Sequence, residues 1–315
     1  MTFAAERELV DGFAADFLAG LMRMPKRLSA KYFYDETGSA LFERICDLPE
    51  YYPTRVEMSL LQAHAAEFAA LAGPETILVE FGAGALRKVE IVLDALVRPA
   101  AYVPIDISGE FLAAQADTLR SKRPSLPIRP LVADFTTDFA WPATGKAVRR
   151  LGFFPGSTIG NMDPDEAGRF LSRIRPHLSA LLVGVDLVKD PAILHAAYND
   201  REGVTAAFNK NMIARANREL GTAFDVESFA HYAFYNPILQ RIEMHLVSSC
   251  PQIMPVFGRT VTFEEGESIH TENSYKYSVE GFQELALAAG YMPMRVWRDK
   301  EKLFSLHWLQ AEPGF

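Results

Sequence analysis

The chain has 315 residues, 49% hydrophobic and 23% charged, with a formal net charge of -8. That length allows one large domain or two ordinary ones, and the composition is globular. The acidic balance argues against a phosphate-tracking surface, so no nucleic-acid partner is expected. Cys46 and Cys250 lie far apart without metal-ligand spacing, so no metal is expected, and reduced thiols fit a cytoplasmic protein. The N-terminus carries acids where a secretory signal would carry bases, and no apolar run reaches membrane-spanning length, so no membrane partner is expected either.

In chain order, residues 5–72 read as helices with loops. Leu9, Phe13, Phe17 and Leu21 stand at helical spacing, as do Leu41, Ile45 and Leu48. "PEYYPTRVE" reads as a cap region before a further helix. From residue 76 short apolar runs alternate with helical ones: "TILVEF", "AYVPIDI", "IRPLVADF", "RLGFF" and "ALLVGVDLV" as strands, with "LRKVEIVLDAL", "GEFLAAQADTLRSKR" and "PDEAGRFLSRIRPHL" as helices. Pro164 sits near the start of the last helix. This alternation predicts a parallel sheet with helices on both faces. It breaks at a mostly helical stretch from Pro191 to Gly221. β-rich segments and a polar loop, "EEGESIHTENSYKYS", follow. A helix capped by Ser278 then resumes the pattern, and "YMPMRVWRD" with "LFSLHWLQ" reads as a terminal antiparallel hairpin.

The expected organisation is an α/β cofactor domain from residues 74–195 and 278–315, with a second, α+β domain from 1–73 and 196–277. A cleft between such parts is where ligands usually bind.

The run "ILVEFGAGALRKVEIVLDAL" places a strand, a glycine turn and a helix in succession. Gly82 and Gly84 let the backbone approach a ligand closely. A dinucleotide fingerprint wants a third small residue where this chain has Arg87. Asp106, ending the second strand, can accept from both ribose hydroxyls, which fits NAD and S-adenosylmethionine equally. Asp134-Phe135, after the third, suits an adenine: a ring to pack on and a carboxylate to accept from the exocyclic amine. With Glu80 ending the first strand, three strand-end acids in order favour S-adenosylmethionine, which has no pyrophosphate to be met by a helix N-terminus.

"KYFYDETGSALFERICDLPEYYPTRVE", "FFPGSTIGN" and "IHTENSYKYS" resemble the histidine Nα-methyltransferases of ergothioneine biosynthesis, in order and over nearly the whole chain. The resemblance implies a Rossmann-like class I methyltransferase domain with a separate substrate domain. It implies S-adenosylmethionine as cofactor, L-histidine as substrate and hercynine as product, in a protein expected to be a monomer. It assigns Gly82, Gly84 and Lys88 to the cofactor loop, Asp106 to the ribose and Asp134-Phe135 to the adenine. It assigns Tyr51, Asn161, Tyr198, Met244, Glu272 and Ser274 to the amino acid, and Tyr34, Gly156 and Asn161 to the reacting amine. Ala83 and Ala85-Leu86-Arg87 depart from the polar residues the family often carries before the lysine.

These residue types suit the chemistry. Asn161 and Tyr198 offer donors to an α-carboxylate, and Glu272 and Ser274, two apart in an extended chain, can face one imidazole nitrogen while Tyr51 donates to the other. Three rival readings stand beside this one: a methyltransferase of a tryptophan-derived amine, an NAD-dependent oxidoreductase, and a non-catalytic ligand-binding relative.

Overall fold

A computed structural model describes residues 3–141 and 149–311. In chain order it begins with α1 (Phe3–Met22), β1 (Lys26–Arg27), α2 (Glu36–Asp47), α3 (Tyr52–Ala63) and α4 (Ala65–Ala72). The Leu9 side chain lies outside the described residues. The alternating region follows as β2 (Ile77–Phe81), α5 (Leu86–Ala95), β3 (Ala101–Asp106), α6 (Gly109–Lys122), β4 (Leu131–Val132), β5 (Arg150–Phe154), α7 (Pro164–Ile174) and β6 (Ala180–Asp186). Then come α8 (Pro191–Tyr198), α9 (Val204–Leu220), β7 (Phe229–Asn236), β8 (Arg241–Ser248), β9 (Gln252–Val256), β10 (Arg259–Phe263) and β11 (Ser268–Tyr275). The chain closes with α10 (Val279–Ala288), β12 (Tyr291–Arg298) and β13 (Phe304–Ala311).

Two compact units result: Met1–Tyr51 with Asp190–Ser274, and Tyr52–Lys189 with Tyr275–Phe315. The second holds a seven-stranded sheet in the order β12-β13-β6-β5-β2-β3-β4. β2, β3, β4, β5 and β6 run parallel, and β13 alone lies antiparallel to both its neighbours. Side chains alternate across the sheet, as strand geometry requires. Ile77, Val79 and Phe81 of β2 join Phe170 and Leu171 of α7 and Phe282 of α10 on one face. Leu78 joins Leu60 and Leu61 of α3, Phe68 of α4, Val89 and Val92 of α5 and Leu119 of α6 on the other. That packing explains why this unit begins at Tyr52 rather than at residue 74: the apolar faces of α3 and α4 complete the core of the sheet. Local signals close the helices as the sequence predicts. Pro164 opens α7, where Glu166 accepts from the Asp163 N–H at 3.0 Å, and Ser278 accepts from the Gly281 N–H at 2.9 Å to cap α10.

The other unit holds the sheet β1-β11-β8-β7 and a separate β9–β10 hairpin. Here the polar stretch read as a loop is a strand. β11 is inserted between β1 and β8, with Ile269, Thr271, Glu272, Asn273 and Ser274 all buried. Burial of Thr271 is offset by hydrogen bonding: its one hydroxyl hydrogen lies between Asn209 Oδ1, at 2.7 Å, and the Met244 carbonyl, at 3.0 Å.

The chain passes into or out of the sheet-bearing unit at three points, Tyr52, Lys189 and Tyr275. One carboxylate ties them. Asp186, 1% exposed at the end of β6, accepts from Tyr52 Oη at 2.8 Å, pairs with Lys276 at 2.8 Å and pairs with Lys189. Lys189 also donates to Tyr52 Oη at 2.6 Å. Burial alone would raise the Asp186 carboxyl, but the two ammonium groups outweigh it and hold it below the usual carboxylate range.

Glu80 is managed differently. It is 2% exposed on β2, and Tyr102 of β3 donates to it. Burial pushes its carboxyl up to about 8, against smaller opposing pulls from Tyr102 and Lys88. Below its ordinary value near 4.5 both folded and unfolded chains are protonated there; between that value and about 8 only the unfolded chain ionises. Stability from Glu80 is therefore present at low pH and lost as pH rises towards 8, by at most about 1.4 kcal/mol per pH unit. Urea unfolding at a series of pH values should show this slope in the wild type and lose it in Glu80→Gln. By contrast, Leu181→Ala, at a fully buried β6 position, should cost about 2–5 kcal/mol at every pH in the same measurement.

Candidate functional site

In the sheet-bearing unit the carboxyl ends of the parallel strands carry the candidate cofactor residues, where open α/β sheets bind ligands. β2 runs into Gly82 at φ 71°, a backbone that glycine adopts without strain. The Gly82 and Ala83 N–H groups both donate to the Ile105 carbonyl, at 2.9 and 3.1 Å, which draws the glycine loop against the end of β3. A Cβ on Gly82 would lie 3.6 Å from the Phe135 ring, whereas one on Gly84 would meet nothing within 4 Å. The loop thus has an aromatic wall at one glycine and open space at the other. Phe135 is itself propped edge-on by Phe81, Phe154 and Phe170, with centroids 6.4, 5.7 and 5.8 Å away.

Asp106 ends β3, and its Oδ1 accepts from the Ser108 N–H at 2.7 Å. Burial lifts its carboxyl to about 6, against the smaller pull of the backbone N–H groups. Asp134 Oδ1 accepts from the Thr136 N–H at 2.9 Å, which fixes the carboxylate in a turn beside Phe135. Lys88, in the first turn of α5, pairs with Glu57 at 2.6 Å. The arrangement fits an adenosyl group. There is room for a ligand over the glycine loop, a half-desolvated acid suited to ribose hydroxyls, and a ring with an adjacent acceptor suited to adenine.

The turn after β5 belongs to the same unit. Gly156 (φ 76°) and Ser157 (φ 55°) are both left-handed, and Ser157 is held there because its Oγ accepts from the Asp186 N–H at 2.9 Å. The Gly156 N–H donates to both Glu57 oxygens, at 3.0 and 2.9 Å. Asn161 is half-buried at the end of the short helical turn that follows.

Six other predicted residues lie in the unit formed by Met1–Tyr51 and Asp190–Ser274. Tyr198, ending α8, donates to Ser274 Oγ at 2.7 Å. Tyr51 stands edge-on to Tyr198 at 6.3 Å and to Phe42 at 6.3 Å, and Tyr34 is edge-on to Phe42 at 5.6 Å. Burial raises the Tyr51 phenol well above its usual value, and Tyr198, Cys46, Tyr34 and Glu272 add to the effect. Tyr34, Tyr51, Tyr198 and Glu272 are thereby one electrostatic neighbourhood, which Ser274 joins through its bond to Tyr198. Met244, 1% exposed on β8, faces Ala233 across the β7–β8 ladder, and its carbonyl receives Thr271. The predicted residues therefore fall into two sets. One is the five residues of this neighbourhood with Met244. The other is Gly82, Gly84, Lys88, Asp106, Asp134, Phe135, Gly156 and Asn161 in the sheet-bearing unit.

The sequence reading passed over several charged residues inside the motifs it quoted, Glu57 and Lys276 among them. Glu57 carried a signal: it shares a helical face with Leu60 and Leu61, at i+3 and i+4, so its side chain points into the core. Among the described residues, Glu243, His245 and His270 form a group of metal-ligand types whose atoms lie within 4.8 Å of one another. Arg241 and Asn236 already donate to Glu243 Oε1, at 2.9 and 3.0 Å. The two imidazoles stack almost parallel, 12° apart, so their in-plane lone pairs do not converge. Also among the described residues, no helix is long and apolar enough to cross a membrane.

Comparison with known proteins accords with this geometry. The sequence model of the family described as histidine-specific, SAM-dependent methyltransferases matches residues 13–311. The histidine N-alpha-methyltransferase of Mycobacterium tuberculosis is 40% identical over 300 residues, 92% of each chain. Ergothioneine biosynthesis protein 1 of Neurospora crassa is 30% identical over 87% of this chain and 32% of its own length. A crystal structure of an S-adenosylmethionine-dependent methyltransferase from Clostridium acetobutylicum superposes with a TM-score of 0.51 at 10% identity, covering 86% of this chain and 98% of that one, and shows the shared fold. The family match over nearly the full length, on a seven-stranded sheet with one antiparallel strand beside its edge, makes this chain a member of the histidine-specific, S-adenosylmethionine-dependent methyltransferases.

Proposed function

We propose that this enzyme methylates the α-amine of free L-histidine three times, yielding hercynine for ergothioneine synthesis. The single observation that carries the substrate assignment is the buried hydroxyl pair between Tyr198 of α8 and Ser274 on the strand that also carries Glu272. Glu272 and Ser274 are two apart on β11 and so share a face. An imidazole offers one donor and one acceptor to such a pair, whereas an indole offers a single N–H and leaves a buried polar group unmatched. That difference favours histidine over a tryptophan-derived amine. The name of the mycobacterial relative supports the Nα position, and that of the fungal relative supports the pathway.

When bound, S-adenosylmethionine supplies a methyl group already activated on a sulfonium. The protein's task is then chiefly alignment, which in favourable intramolecular reactions is worth roughly 7–11 kcal/mol. Asp106 accepts from the ribose, Asp134 and Phe135 hold the adenine, and the glycine loop with Lys88 takes the remainder. Tyr51, Glu272 and Ser274 hold the imidazole, while Asn161 donates to the carboxylate and Tyr198 turns its one hydroxyl hydrogen from Ser274 to it. Tyr34 and the carbonyl-bearing turn at Gly156 orient the amine. Aromatic faces and carbonyl dipoles tolerate an amine that loses one hydrogen per transfer and ends as a cation with none to donate. A raised Tyr51 phenol stays protonated and keeps its donor throughout the working pH range. The reading takes a monomer that needs neither nucleic acid nor membrane, in keeping with the net charge of -8, and a reducing cytoplasm in keeping with two free cysteines.

Two variants separate the two ligands in calorimetry. Glu272→Ala should raise the histidine Kd about tenfold or more while leaving S-adenosylmethionine binding unchanged. Asp106→Ala should do the reverse; equal loss of both ligands in either variant contradicts the assignment. Product masses from an amino-acid panel should show three methyl increments, on histidine alone.

A further inference from the structure

Glu57 takes no part in the assignments above, yet it is fully buried, at 0% exposure on α3. A carboxylate out of water costs several kcal/mol unless it is both paired and hydrogen-bonded. Glu57 is both. One charged partner is Lys88 of α5, 2.6 Å from Oε2, and one backbone partner is the Gly156 N–H, 3.0 and 2.9 Å from the two oxygens. The surroundings are cut to admit this group. A Cβ on Gly184 of β6 would stand 2.0 Å from Glu57 Oε1, and a Cβ on Gly156 would stand 3.3 Å from Lys88 Nζ. A carboxylate serving only to neutralise Lys88 would not need the backbone N–H of a left-handed turn on another strand. Glu57 joins the helix that follows the glycine loop to the turn that follows β5.

We propose that Glu57 is a positioning residue for methyl transfer: its buried carboxylate clamps Lys88 to the Gly156 turn, so that the cofactor loop and the turn assigned to the substrate amine keep one fixed spacing. This rests on the reading of Lys88 and Gly156 given under the proposed function. Glu57 itself is assigned to neither ligand, so its loss should not empty either binding site. It should instead loosen the near-attack geometry, where a displacement of about 1 Å is worth roughly a hundredfold in rate.

Two variants test it. Glu57→Gln keeps the shape and one acceptor for Gly156 but removes the charge facing Lys88. Glu57→Asp keeps the charge and withdraws it by one methylene. Turnover and KM for histidine are read from product masses, S-adenosylmethionine Kd from calorimetry, and folding from thermal unfolding. In both variants kcat should fall by about tenfold to a hundredfold while Kd and KM each stay within about threefold of wild type. A kcat within about threefold of wild type in a folded variant, or a rise in Kd or KM larger than the fall in kcat, overturns the proposal. If Glu57→Gln does not fold, Glu57→Asp decides by the same criteria. A wild-type enzyme that left histidine unmethylated would instead defeat the functional reading itself.

Discussion

A carboxylate removed from water has to be met inside the protein, and Asp186 is met by all three segments that border its unit. Tyr52, Lys189 and Lys276 each bond to it, and each lies at or next to a point where the chain passes into or out of the sheet-bearing unit. Removing one partner of such a buried group typically costs about 3–5 kcal/mol, because the remaining charge is stranded. The same residue governs the neighbouring turn: its N–H bonds to Ser157 and fixes a left-handed residue that the backbone alone would not favour. From there the contacts run on without a gap, from Ser157 to Gly156, from Gly156 to Glu57, and from Glu57 to Lys88 behind the glycine loop. The carboxyl edge of the sheet is thus set by matched buried charge, while the apolar clusters on its two faces supply the bulk of its cohesion.

Not every acid on that edge is matched. Lys276 and Lys189 hold Asp186 below the usual range, while burial leaves Asp106 near 6 and Glu80 near 8. The difference divides structural from receptive acids. A carboxylate already satisfied by ammonium groups has little to offer a ligand, whereas a half-desolvated one gains from hydroxyl donors or a nearby cation. At neutral pH Asp106 is therefore an ionised acceptor on the edge of its range, and Glu80 is a protonated partner of Tyr102 behind it. Two neighbouring strand-end acids take different charge states because one sits deeper, and the Tyr102 hydroxyl offsets only part of that burial.

What the sequence discloses follows from how local each signal is. The strand–helix alternation from Ile77 to Asp186, and the helix that resumes after Ser278, were legible because apolar period and terminal residues such as Pro164 and Ser278 act within a few positions. The polar segment from Ser268 to Tyr275 was not, because its strand character depends on partners far away: Asn209 for Thr271 and Tyr198 for Ser274. The candidate ligand residues were legible through the family resemblance and the strand-end pattern. The buried ion network was not, since Glu57 meets its backbone partner 99 residues later. Charge in a sequence reads as surface unless its match is in view, and these matches are made only by the fold.

The adjacent tyrosines in "EYYP" show how fine that dependence becomes. Tyr51 lies edge-on to Tyr198 in one unit, while Tyr52 bonds to Asp186 in the other. Both are buried, and composition does not distinguish them. The residue that follows does. Pro53 lacks an N–H and has a fixed φ, so it is tolerated only in the first turn of a helix, and α3 starts at Tyr52, just before it. Tyr52, the first residue of α3, is oriented by the helix, whereas Tyr51 stands outside it. The helix start thus separates a ring of the aromatic neighbourhood from one that anchors the sheet, with a single peptide bond between them.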